Sequence, residues 1–382
     1  MKGTVRRRGD TWSYQFQVLS LGERRYVTKG GFRTRRECDH GLHDAMAMFA
    51  RGGPSAPSRR TLADYLEREW LPVQQARLRP STFHGYRRVT RQQIIPLLGS
   101  VRLGDLTAGD VTVFLQELRS STPRRKGAPR LSEQSIKRAY RVLHAALQHA
   151  VELNLVVQNA AARVPRSARP RPPRKEMRTW SVEELRRFFD ATSGDRLHPA
   201  FVLAATSGLR RSELLGLRWD DVELNTGTLA VRRARVAAGY DVFEGETKNG
   251  RARLVRIPEG AVAALRRHRK AQLEERLAWG ASWTDSGYVF TCEDGRPLHP
   301  HSLTDAFERR VRVIDVPVIR LHDLRHTCAT LLLQAEVHPK VVQEMLGHSS
   351  IAITLDIYSH VVPSMQEEAA ARLHAAVFAS SV

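Results

Sequence analysis

Cysteine is nearly missing from this chain: three in 382 residues. Cys38, Cys292 and Cys328 are scattered and lack metal-ligand spacing. That excludes a disulfide framework and a cysteine zinc site, and it fits a reducing cytosol. Acidic residues are also short, 40 against 61 lysines and arginines, which leaves a net charge of +21 and a pI near 10.8. The expected partner is therefore a polyanion, either nucleic acid or an anionic membrane surface. No run of about 18 apolar residues exists, so a membrane span is excluded. The opening MKGTVRRRGDTWSY is basic but has no apolar stretch behind it, so it does not read as a secretion signal. Arginine outnumbers lysine in a way that GC-rich coding also produces. The basic residues cluster, however, and compositional bias alone does not cluster them. The length calls for two or three domains.

Residues 1–55 begin with Trp12, Tyr14, Phe16 and Val18 alternating with polar neighbours, the period of a half-buried strand. Gly22 offers a turn, and Arg25–Thr28 returns as a second strand. Thr34 and Glu37 form a capping box that opens a helix toward Phe49. Arg6, Arg7, Arg8, Arg24 and Arg25 surround this small unit and point to DNA contact; the plainer reading is a solvated arginine-rich surface. Gly52–Pro57 reads as a linker. Residues 60–162 read as helical throughout, in four helices, with caps at Thr61 and at Ser81 or Thr82 after Pro80. Of these, the third helix follows Leu106–Thr107 and the fourth starts near Ser132. Their apolar faces carry Leu62, Tyr65, Leu66 and Trp70; Val111, Val113, Phe114 and Leu118; and Ile136, Tyr140, Leu143, Leu147 and Val151. Residues 163–178, RVPRSARPRPPRKEMR, are stiffened by proline and are expected to be extended. Arg171, Arg174 and Lys175 would then track a phosphate backbone, or the segment is a solvated linker. Ser181 and Glu184 cap the first helix of a final domain, residues 179–382.

That domain carries four compact motifs: SGLRRSELLGL at 207–217, TKNGRARLVRIP at 247–258, HDLRHTCATLLL at 322–333 and MLGHSSIAITLDIYSH at 345–360. In the first, two helices meet at Ser207–Gly208 and place Arg210 at the start of the second, with Glu213 three residues on and able to hold its guanidinium. In the second, Lys248 sits at the turn before a strand at 253–257, with a partner strand at 228–231. In the third, His322, Arg325 and His326 fall at i, i+3 and i+4, so one helical face presents all three. An H-x-x-x-H pair invites a zinc reading, but a guanidinium beside a dication is electrostatically wrong. In the fourth, Gly347 lets the backbone turn at His348, and Tyr358 follows ten positions later. Two guanidiniums, imidazoles, an ammonium and a phenol are a set suited to opening a phosphodiester without a metal.

In content, order and spacing these motifs resemble the active site of the tyrosine recombinase (phage-type integrase) family. The resemblance implies a multidomain α+β fold. It comprises an N-terminal three-stranded sheet plus helix that is similar to an arm-type DNA-binding domain, a helical core-binding bundle, and a mainly α catalytic domain with a small β-sheet and a C-terminal tail. It implies Tyr358 as nucleophile, with Arg210, Lys248, His322, Arg325 and His348 as catalytic partners and Glu213 and His326 in support. It implies a site-specific recombinase working through a 3′-phosphotyrosine, with neither metal nor cofactor, to integrate or excise a mobile element. The partners implied are double-stranded DNA at attachment sites, a homotetramer on that DNA, and an accessory directionality or DNA-bending factor, all in the cytoplasm at the nucleoid. Two alternatives share these residues or this charge: a type IB topoisomerase-like activity, and a DNA-binding regulator without catalysis.

Overall fold

The computed structural model describes residues 3–20, 23–50, 60–121, 130–173, 177–246, 252–358, 373–374 and 377–378, with side chains described there except at 18–20, 23–25, 48–50, 353 and 356–358. Contacts divide the chain into two units, Met1–Arg174 and Lys175–Val382.

The first unit opens with an antiparallel sheet of β1 (Gly3–Arg8), β2 (Thr11–Ser20) and β3 (Glu23–Phe32) in sequence order. Its inner face, Tyr14, Phe16 and Val27, packs against Cys38 and Leu42 of helix Arg35–Ala50. The alternating pattern reveals β2 and β3. β1 is an edge strand whose second half is Arg6, Arg7 and Arg8, all exposed, so it carries no alternation to read. Thr34 caps the helix as expected, accepting from the Glu37 amide at 3.2 Å, while the Glu37 carboxylate takes the amide of Arg33.

The same unit holds the helical bundle. Leu62–Tyr65 continues through a wide π turn, Leu66–Trp70, into Leu71–Arg77. Pro80–Val89 continues likewise through Thr90–Ile94 into Ile95–Leu98. Each wide turn comes just before a proline, Pro72 or Pro96, whose missing N–H and bulky ring disrupt ordinary i→i−4 bonding. Helices Ala108–Ser120 and Glu133–Glu152 complete the bundle around Trp70, Phe114, Leu143 and Leu147. Three sequence expectations need correction here. The second helix starts at Pro80 with Arg79 as its N-cap, not at Ser81 or Thr82, because proline's fixed φ suits the first helical position. Val113 is exposed, and Leu115 takes the inward place beside Phe114. The proline–arginine segment is not simply extended. Val164 is buried, and Arg169 turns back to donate to the carbonyls of Val164 (2.9 Å) and Ala162 (2.8 Å). Arg171 likewise donates to the carbonyl of Arg166 at 3.1 Å.

The second unit is mainly helical: Val182–Thr192, His198–Ser207, Arg211–Leu215, Glu259–Trp279, Pro300–Val313, Asp323–Gln334, Pro339–Leu346 and Ile351–Tyr358. Its core centres on Trp180, Phe188, Phe201 and Phe307. A small sheet runs β4 (Val222–Glu223), β5 (Thr228–Val231), then β8 (Arg253–Arg256), with a hairpin of β6 (Arg233–Ala238) and β7 (Asp241–Glu246) between the last two in sequence. β5 and β8 pair antiparallel, Val231 opposite Arg253. The β6–β7 hairpin is absent from the sequence reading, since RRARVAAGYDVFEGE offers little clean alternation.

Candidate active site

Gly208 ends helix His198–Ser207 with φ +62°, and a Cβ there would stand 2.1 Å from Leu346 Cδ2. Only glycine fits both the dihedral and the space. The chain reverses, and Arg210 becomes the N-cap of helix Arg211–Leu215. Glu213, at the third helical position, accepts the Arg210 amide at 3.0 Å and its Nη1 at 2.7 Å. The carboxylate is 1% exposed and takes a second guanidinium from Arg253, with Nη2 at 2.7 Å and Nη1 at 3.2 Å. Burial alone would raise the Glu213 pKa; the hydrogen bonds and charge of Arg253 and Arg210 outweigh it and hold the pKa below the ordinary value.

Arg325 lies inside helix Asp323–Gln334, 3% exposed. Its Nη1 donates to the Gly208 carbonyl at 2.6 Å, while its buried Nη2 has no hydrogen-bond partner. Burial, and then the neighbouring Arg210, lower its pKa to about 9, so it stays charged at neutral pH. A buried charged donor left unpaired is costly, and an anionic oxygen would satisfy it.

His322 caps the same helix, and His326 stands one turn on with the rings edge to face at 5.2 Å. Asp323 between them is tied to Arg320 at 2.6 Å. His322 keeps a solvent-exposed edge, yet partial burial, with His326 and Arg325 beside it, lowers its pKa to about 4. His326 is also lowered by burial, and its buried Nδ1 has no partner. His348 follows Gly347, whose φ of +65° turns the chain out of helix Pro339–Leu346. Its Nδ1 meets Thr354 Oγ1 at 3.0 Å, and burial followed by Arg325 and Arg210 lowers its pKa to about 4. Thr354 is fully buried on helix Ile351–Tyr358, and Tyr358 is that helix's last residue, one turn beyond Thr354.

Of the sequence-predicted residues, the fold thus gathers Arg210, Glu213, His322, Arg325, His326 and His348 into one connected cluster, with the Tyr358 backbone one turn from a group that His348 touches. The Tyr358 side chain, Lys248, Arg174, Lys175 and the side chains of Arg24 and Arg25 lie outside the described residues. Arg6, Arg7, Arg8 and Arg171 are exposed in the first unit. Two residues of the cluster, Arg253 and Thr354, were missed. A signal for Arg253 existed: it alternates with Val255 and Ile257, both buried, so strand period 2 turns it inward.

The model of the family described as "Phage integrase family" matches residues 177–365, which include every member of this cluster. The "Phage integrase, N-terminal SAM-like domain" matches residues 61–119. The chain belongs to the tyrosine recombinase family. It is 36% identical over 213 residues to a "Tyrosine recombinase XerC-like" protein of Caldanaerobacter subterraneus subsp. tengcongensis, covering 52% of this chain and 54% of that one. This chain therefore spans about half the length of that relative. It is 28% identical to an integrase of Streptomyces ambofaciens over 345 residues, 88% of this chain and 85% of that one. Among solved structures, the Tn1549 transposon integrase in complex with transposon right end DNA shares the fold. The TM-score is 0.65 at 23% identity, covering 79% of this chain and 98% of that one.

Proposed function

We propose that this recombinase integrates or excises a mobile element by cleaving DNA with the Tyr358 hydroxyl. The observation that carries the reading is the unpaired, buried Arg325 Nη2 beside Arg210. Both guanidiniums would grip the non-bridging oxygens of the scissile phosphate and oppose the charge of the pentacovalent transition state. The Tyr358 oxygen attacks phosphorus as its proton passes to the imidazole side of the site, His322 with His348. The P–O5′ bond breaks, Lys248 protonates the departing oxygen, and a 3′-phosphotyrosine and a free 5′-hydroxyl result. A 5′-hydroxyl of the partner duplex then reverses the step, so one phosphodiester replaces another without external energy. The low imidazole pKa values come first from burial and then from the cations around them; the negative charge of a bound phosphodiester would oppose the second cause. Glu213 and His326 support this set.

Double-stranded DNA would be gripped by both units, with Arg6, Arg7, Arg8, Arg24 and Arg25 on the N-terminal sheet and Arg171, Arg174 and Lys175 along the joint. Exchange between two duplexes takes four cleavages, hence a homotetramer on DNA, working in the cytoplasm at the nucleoid with an accessory directionality or bending factor. The exposed Leu373, Val377 and Phe378 of the tail would dock on a neighbouring subunit. Among the described residues no helix is long and apolar enough to cross a membrane.

Covalent trapping tests the reading. Wild type and Tyr358→Phe are expressed in a host carrying the element, lysates are denatured, and protein-linked DNA is sequenced. Wild-type-only adducts at one pair of sites are expected. Adducts spread over the genome would indicate topoisomerase-like action, and DNA binding without adducts would indicate a regulator.

A further inference from the structure

The hydrogen bonds around Glu213 close into a ring. Arg253, the first residue of β8, gives Nη1 and Nη2 to the carboxylate and Nε to the Met345 carbonyl at 3.0 Å. From the other side, Arg210 gives Nη1 to the same carboxylate and Nη2 to the Gly347 carbonyl at 3.0 Å. Met345 and Gly347 belong to the turn that delivers His348. Arg253 lies so close to that turn that a Cβ at Gly347 would stand 3.1 Å from its Cζ and Nη1. The ring is well shielded, with Arg253 14% and Glu213 1% exposed. One carboxylate thus anchors two guanidiniums, and each holds a carbonyl of the same turn.

We propose that Arg253 is a positioning residue for strand cleavage, holding Arg210 and the His348 turn in register against the scissile phosphate. This rests on the reading of Arg210 and His348 given above. Without Arg253, Glu213 is left buried with one partner. Its charge then draws more strongly on Arg210, away from the phosphate, and the His348 turn loses one of its two guanidinium ties. Lysine cannot replace it, because a single ammonium cannot span a carboxylate and a carbonyl in the fork geometry of a guanidinium. Arg253 lies five residues after Lys248, yet its contacts run to the phosphate-gripping side. The effect therefore falls on charge stabilisation, not on protonation of the leaving oxygen.

The test uses the full chain and a duplex carrying the site recovered from wild-type adducts. The scissile position is prepared in three forms: native phosphodiester, uncharged methylphosphonate, and 5′-bridging phosphorothiolate, whose thiolate leaves without a proton. Arg253→Lys and Arg253→Gln are expected to cleave the native duplex about 10–100-fold more slowly than wild type. The deficit should shrink on the methylphosphonate, which needs less cationic stabilisation. It should persist on the phosphorothiolate, where Lys248→Ala recovers. Native rates in both variants, a deficit abolished on the phosphorothiolate, or an equal deficit on all three would overturn the proposal. If Arg253→Gln does not fold, Arg253→Lys, which keeps the charge, carries the comparison. A wild type that forms no adduct on any duplex would instead refute the Tyr358 reading.

Discussion

Glu213 faces Arg210 and Arg253 at hydrogen-bond distance, with Arg325 close enough to feel the same field. Three guanidiniums against one carboxylate leave an excess of positive charge, suited to a phosphate that becomes more negative in its transition state. Arg325→Ala is expected to slow single-turnover strand cleavage by on the order of 10²–10³. Arg325→Lys should rescue little of it, since an ammonium cannot both hold the Gly208 carbonyl and reach the phosphate as a fork does. The histidines set a pH dependence. With its folded pKa near 4, His348 stays neutral while the unfolded chain, near ~6.5, takes up a proton. The unfolded state then binds more protons, so the His348 contribution to stability is present above about pH 6.5 and declines as pH falls toward 4. His322 acts in the same direction, discounted for its exposed edge. The thermal midpoint of the free protein should fall between pH 7 and pH 4.5, and less steeply in His348→Asn; equal slopes would remove His348 from this account.

Short elements do the placing. Gly208 and Gly347 each end a helix in the left-handed region, and each is followed closely by a residue of the cluster. Gly208→Ala meets a backbone penalty of about 1–2 kcal/mol and a methyl driven into Leu346, an overpacking cost of about 1–3 kcal/mol. Urea unfolding should show a loss on the order of 2–5 kcal/mol, with slower cleavage because the Gly208 carbonyl that orients Arg325 moves. Gly245→Ala is the control: no atom lies within 4 Å of a Cβ there, and the change should stay within roughly 0.5 kcal/mol. In the bundle, the wide turns before Pro72 and Pro96 show helices absorbing proline without breaking.

For the whole molecule the dominant quantity is the net charge of +21. Binding to duplex DNA should weaken by about 10³–10⁵ between 50 and 200 mM salt if roughly six to ten phosphates are neutralised. Tyr358→Phe should leave that slope unchanged, because the change removes a hydroxyl and no cationic side chain. Filter-binding or fluorescence titrations across salt would measure both; a flat slope would show that the excess charge is not spent on the backbone.

The chain itself determined much of this. Strand alternation from Trp12 to Phe16, the caps at Thr61 and Ser181, and the motifs around Arg210, His322 and His348 are local signals, written within a turn or two of the residues they govern. Arg253 was legible only as an inward position on a strand, β1 only through the resemblance that implies a three-stranded sheet, and the β6–β7 hairpin not at all. Tertiary structure decided what spans long separations. It set Arg253 and Arg210 on one carboxylate, Arg325 on the carbonyl of Gly208, and both guanidiniums of the ring on the turn before His348. Local propensity carries no information about which distant carbonyl a buried guanidinium will meet. That follows from packing, where a buried charge finds its partner or is left unpaired, as Arg325 Nη2 is.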